Sequence, residues 1–136
     1  MRKLARQLIA RERARSSSPP SESDYPALRI CEELRIPLTA YAGAIGFRSL
    51  LRRALNLARA EEPRLTALMV DDTGVIVVPE DFQAAHPPSV AAPIGEALVV
   101  HLLLLLEIFI GAALTLRLVH EVWPTVAAKT PKTSQN

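Results

Sequence analysis

The chain has 136 residues, 49% of them apolar and 22% charged, with a formal net charge of +2. That apolar share excludes wholesale disorder, and the length suits one domain with a modest core. A single cysteine, Cys31, excludes an internal disulfide and a thiol-rich metal site, and points to a reducing cytoplasm.

The small net charge conceals an asymmetry. Residues 1–70 hold thirteen Lys and Arg against seven Asp and Glu; residues 71–136 hold three against seven. A basic front half and an acidic rear half suit pairing within the chain, head-to-tail pairing between copies, or an acidic protein partner.

Residues 1–15 (MRKLARQLIARERAR) form the first predicted element, a basic helix with a narrow stripe of Leu4, Leu8 and Ile9. Its basic side chains, opposed only by Glu12, make it a candidate arm for nucleic acid or an anionic membrane surface. It lacks the interleaved aromatics that stack on bases, so a solvated helix that docks its stripe is the preferred reading, and nucleic acid is not the expected partner. Arg6 and Arg11 interrupt the first apolar residues, which argues against a cleaved leader. Residues 16–23 (SSSPPSES) read as a linker, in which Pro19 and Pro20 stop helix formation.

Residues 24–78 are expected to form a helical domain with a β-hairpin. Asp24 can cap a helix whose first turn contains Pro26, and Ala27, Ile30, Cys31 and Leu34 follow at helical spacing. Pro37 disfavours helical geometry at Ile36, so a break or kink is predicted there. Gly43 and Gly46 either admit a close neighbour or mark turns. An amphipathic helix over 46–62 follows, with Phe47, Leu51 and Ala54 on its apolar face. Arg48, Arg52 and Arg59 lie largely off that face as a candidate basic surface. Residues 65–78 read as strand, turn, strand around Asp71-Asp72-Thr73-Gly74. Two adjacent acids are too few ligands for a cation. Residues 79–95, with Pro79, Pro87, Pro88 and Pro93, read as an extended Pro-rich connection.

The longest apolar run comes next. Residues 96–123 predict one long apolar helix, which includes Leu102, Leu103, Leu104, Leu105 and Leu106 in succession and then Phe109. Such a run is buried on most sides. At 100° per residue, Glu96, Glu107, Arg117 and Glu121 fall within about 80° of one another, a candidate ion-pair seam along the rod. Lipid is the alternative surrounding: 97–116 has about the length of a bilayer span, and Trp123 stands where interfacial aromatics belong. A central Glu107 costs about 3 kcal/mol on insertion scales, while each leucine contributes about 0.5 kcal/mol, so insertion energetics alone leave both media open. Residues 124–136 read as a disordered tail.

No catalytic, nucleotide or metal motif stands out. His86, His101 and His120 fall in no ligand spacing, and neither a P-loop, a G-x-S-x-G nor a G-x-G-x-x-G occurs. No cofactor, metal or enzymatic activity is expected.

Two stretches carry resemblances. Residues 33–43 (ELRIPLTAYAG) resemble the H-box of sensor histidine kinases at Glu33, Leu34, Arg35, Pro37, Leu38, Thr39, Ala40 and Gly43. Glu32 stands where that family has its phosphoacceptor histidine, and no ATP-binding domain follows. The resemblance implies a dimeric helical hairpin without phosphotransfer. Residues 34–58 and 110–124 together are similar to a group of small uncharacterised bacterial proteins, which implies no activity.

The expected fold is mainly α: a small helical bundle with one long C-terminal apolar helix and a minor β-hairpin. The expected function is a non-enzymatic regulatory or scaffolding interaction protein in the cytoplasm. It acts as a homo-oligomer, a dimer in the simplest case, through Leu102–Leu106 and Phe109. Three alternatives remain: a single-pass inner-membrane protein with a basic cytosolic domain, a basic nucleic-acid-associated protein, and a degenerate histidine-kinase-like dimerisation module. A small enzyme ranks last.

Overall fold

Helix α1 (Arg2–Arg15) takes up the basic N-terminal segment and buries Ala5, Leu8 and Ile9 along one stripe. The computed structural model describes residues 2–15, 25–87 and 92–123. The linker expected at 16–23, the cap expected at Asp24 and the tail expected at 124–136 lie outside the described residues.

Helix α2 (Pro26–Glu61) begins at a proline, where the missing N–H forfeits no intrahelical bond. Its N-cap position is Tyr25, whose hydroxyl donates to the His86 carbonyl at 2.8 Å. Of the break or kink expected at Pro37, the break does not occur: the helix runs through that residue. An interior proline costs about 3 kcal/mol. Leu34 and Leu38, fully buried on either side of it, each contribute about 1.5–3 kcal/mol, enough to hold the helix together.

The break comes six residues later, at Gly43, with φ 79° and ψ 167°. This region of backbone space is essentially closed to residues with a Cβ. The chain folds back there. A straight helix would hold Ala27 and Glu61 about 51 Å apart. Instead, Gly95 packs against Ala27, so closely that a Cβ on Gly95 would sit 2.5 Å from the Ala27 Cβ. The neighbouring Glu96 is bridged to Glu61 by Arg2. Halfway along, Arg35 lies over the Phe47 ring, with its guanidinium carbon 5.1 Å from the ring centroid. Helix α2 is therefore a helical hairpin with arms 26–42 and 44–61.

The C-terminal apolar run repeats the device. Helix α4 (Ala92–Ile110) and helix α5 (Ala112–Val122) are separated by Gly111, at φ 91° and ψ 158°. The single long helix expected over 96–123 is thus two helices that fold back on each other. Trp123, at the end of α5, reaches Glu12 of α1. Arg2, ten residues before Glu12, reaches Glu96 near the start of α4. Ten helical residues span about 15 Å, whereas a straight rod would separate residues 96 and 123 by about 40 Å. Among the described residues no helix is long and apolar enough to cross a membrane.

The two hairpins share one core. Helix α4 packs most extensively on α2, and Leu98, Leu102, Leu103 and Leu106 meet Ile30, Leu34, Leu51 and Leu55 in that core. Helix α1 lies across the open end, from Glu61 and Glu96 at its start to Arg29 and Trp123 at Glu12. Gly43 and Gly111 therefore lie together at the opposite end.

Between the hairpins the chain forms a 3-10 turn (Pro63–Ala67) and the expected β-hairpin, though a short one. Strand β1 (Met69–Val70) pairs antiparallel with β2 (Ile76–Val77) in the register Met69 to Val77 and Val70 to Ile76. The expected extended connection at 79–95 contains a further helix, α3 (Glu80–Ala85). Pro79 caps it, two acids occupy its first turn, and Phe82 is buried beside Tyr25 and His86. Residues 88–91 lie outside the described residues.

Candidate functional site

The folding back at two glycines creates the most unusual surface of the molecule. Residues 36–47 (IPLTAYAGAIGF) contain no charged side chain, and neither do residues 108–116 (IFIGAALTL). Both stretches are centred near a turn glycine, so the fold brings them to one end of the bundle. Eleven large apolar side chains are exposed among the described residues. Six of them, Ile36, Tyr41, Ile45, Ile108, Phe109 and Leu116, belong to these two stretches. Ile108 is 82% exposed, Ile36 79% and Ile45 71%.

Charge returns abruptly below this end. The nearest charged residues along the arms are Arg35, Arg48, Glu107 and Arg117. At helical rise they stand about 12, 8, 6 and 9 Å from the turn glycines. The molecule thus carries an apolar cap with a collar of mixed charge.

Gly111 pairs both of its own backbone groups. Its N–H donates to the Glu107 carbonyl at 2.9 Å, and its carbonyl accepts from the Thr115 N–H at 3.0 Å and the Thr115 hydroxyl at 2.8 Å. No backbone group of Gly111 depends on water for a partner.

No protein-family model, curated protein or solved structure matches this chain. The chemistry of its surfaces therefore carries the functional argument.

The residues singled out from the sequence distribute differently from expectation. Leu102, Leu103, Leu105 and Leu106 are buried within the chain by its own helices, and only Leu104 and Phe109 of the expected oligomer interface are exposed. The seam of Glu96, Glu107, Arg117 and Glu121 is divided, because the reversal at Gly111 puts Arg117 and Glu121 on a different helix from the other two. Among the described residues, Glu96 is the only one of the four in an ion pair.

The basic surface is engaged within the chain. The Arg48 guanidinium donates to the Asp72 carbonyl at 2.7 Å, and Arg52 stands 3.7 Å from the Asp72 carboxylate. Arg59 donates to Asn56 and to the Leu68 carbonyl. Arg35 donates to the carbonyls of Thr73 and Gly74 and holds Glu32 on its other side. These arginines fasten the β-turn onto the helical hairpin. Asp71 rigidifies that turn by accepting from the Thr73 hydroxyl and from the backbone N–H groups of Thr73 and Val75, which hold its carboxyl below the usual value.

At the open end, charge is concentrated. Arg2 bridges Glu61 at 2.5 Å and Glu96 at 2.8 Å; Arg6 adds a 3.0 Å bond to Glu96, and His101 a 3.1 Å contact to Glu61. The Arg2 hydrogen bond holds the Glu61 carboxyl below its usual value against the upward pull of burial, and His101 assists. Burial pushes Glu96 up, but Arg2 and Arg6 overcome it and leave that carboxyl lowered as well. Deeper in, buried Glu12 accepts the Trp123 indole N–H at 2.8 Å and stands 3.4 Å from the Arg29 guanidinium.

A cleft of about 390 Å³ opens beside Leu28, Cys31, Leu51, Ile76 and Gln83. Burial pushes the Cys31 thiol up to about 12, so it stays protonated and unreactive. No group of three or more His, Cys, Asp or Glu among the described residues could hold a metal ion.

Sequence reasoning missed the apolar cap. The signal was present as two uncharged stretches, each interrupted by one glycine in an otherwise helical pattern.

Proposed function

We propose that this chain is a non-enzymatic interaction module whose working surface is the charge-free end around Gly43 and Gly111. The observation that carries this reading is the concentration of exposed Ile36, Tyr41, Ile45, Ile108, Phe109 and Leu116 at the end where both helical hairpins turn. Apolar side chains exposed together at one end of a protein mark association sites. The homo-oligomer expected from the leucine run keeps only Leu104 and Phe109 as accessible members, and the cap displaces that face as the leading surface.

Photoreactive side chains placed at Ile45, Phe109 and, as a control on α3, exposed Asp81 test the assignment in cells. Crosslinks to any cellular component are expected to concentrate at the first two positions. Equal yield from Asp81 would remove the cap as the working surface.

A further inference from the structure

Resting on the reading that the charge-free end is the working surface, we propose that its occupant is a lipid bilayer, entered only to the depth of the interfacial layer. Four independent features of this end fit that occupant.

The first is depth. Apolar faces that lie in a membrane interface bury about 5–10 Å into the boundary between headgroups and acyl chains. The charged collar begins about 6–12 Å below the turns, so the cap can enter that layer while Arg48, Glu107 and Arg117 stay with the headgroups. The second is satisfaction of the backbone. Gly111 pairs its own N–H and C=O through Glu107 and Thr115, while the uncapped first N–H groups of α5 need water, which the interfacial layer supplies and the hydrocarbon does not.

The third is composition. Isoleucines and Phe109 fill the cap, and Tyr41 offers a hydroxyl on an apolar ring, the composition of an interfacial layer. The fourth is area, which disfavours a second copy. Four helices, each about 10 Å wide, present an end of about 20 by 20 Å. Two such ends pressed together would bury about 800 Å² in total, below the roughly 1,200 Å² of a stable protein interface. A bilayer needs no minimum contact area of this kind.

Flotation of the full chain with vesicles of phosphatidylglycerol and phosphatidylcholine tests the proposal, together with fluorescence quenching by lipids brominated on the acyl chains. The wild-type protein is expected to float. Replacing both Ile45 and Phe109 with Asp is expected to weaken binding by about tenfold or more. Both side chains are exposed, so this double variant keeps its helices, which circular dichroism checks. In a Phe109→Trp variant the new tryptophan is expected to be quenched, while Trp123, at the opposite end, is not.

Flotation that survives the double substitution, or quenching confined to Trp123, would overturn the proposal by placing the contact elsewhere, for example on the arginines of α1. Absence of flotation would overturn it as well. If crosslinks at Ile45 and Phe109 persisted in that case, the cap would remain the working surface with a protein occupant. A doubled mass in light scattering, lost in the double variant, would identify that protein as a second copy.

Discussion

Gly43 and Gly111 do at the scale of one residue what loops of several residues do in most helical hairpins. Each holds a positive φ with extended ψ, and a Cβ added at either would meet nothing within 4 Å. The demand for glycine is therefore one of backbone conformation and not of space. Gly43→Ala and Gly111→Ala are each expected to destabilise the fold by about 1–3 kcal/mol, read from denaturant unfolding, with the helix content of the folded state unchanged. A stability equal to wild type would mean that the reversal does not need this conformation. From the sequence, Gly43 stood among residues that either mark turns or admit a neighbour, and the structure selects the turn. Gly111 lies unmarked inside the apolar run, because hydrophobic periodicity reports which residues are buried but carries no sign of a single reversed torsion angle.

The same limitation operates at the scale of elements. The leucines from Leu102 to Leu106 correctly signal burial on most sides of a helix, and the partner turns out to be the chain itself. Helix α4 is enclosed by both arms of α2, by α1 and by α5. Leu102→Ala is expected to cost about 2–5 kcal/mol, as for a fully buried leucine. Leu104, 37% exposed, is expected to lose under about 1 kcal/mol on the same change. Paired thermal melts of the two variants check this contrast, and equal losses would show that Leu104 is covered in solution. Local chemistry was most legible where side chain and backbone agree: α1, the amphipathic second arm of α2, and the β-turn at Asp71. It was least legible where packing overrules propensity. Pro37 stays helical between two buried leucines, and α3 forms in a proline-rich stretch because Phe82 finds the ring of Tyr25.

At the scale of the whole molecule, the charge asymmetry of the sequence resolves into contacts within the chain. Arg2 and Arg6 of the basic front half meet Glu96 of the acidic rear half, and Arg48 and Arg52 meet Asp72. Glu61 and Glu96 both titrate below their ordinary range in the folded state. Their contribution is fully present above the unfolded carboxylate value of about 4.3 and is lost as pH falls through the lowered folded values. Acid is therefore expected to loosen α1 from the open end. The emission of Trp123, the sole tryptophan, reports this as a red shift that begins below about pH 4.3. A flat emission profile down to pH 2 would detach α1 docking from these carboxylates. The candidate site was legible only in part for a related reason. Each uncharged stretch is visible alone, but that they meet at one end follows from two reversals separated by 68 residues of chain.

The bond between Trp123 and Glu12 also dictates an order of events during synthesis. Glu12 cannot receive that indole until 111 further residues have been made. Its other partner, Arg29, follows Glu12 by only 17 residues, so α1 can be held against α2 well before the indole arrives. The Trp123 bond is thus the last of these contacts to become available, and it forms only when the chain has turned back at Gly111.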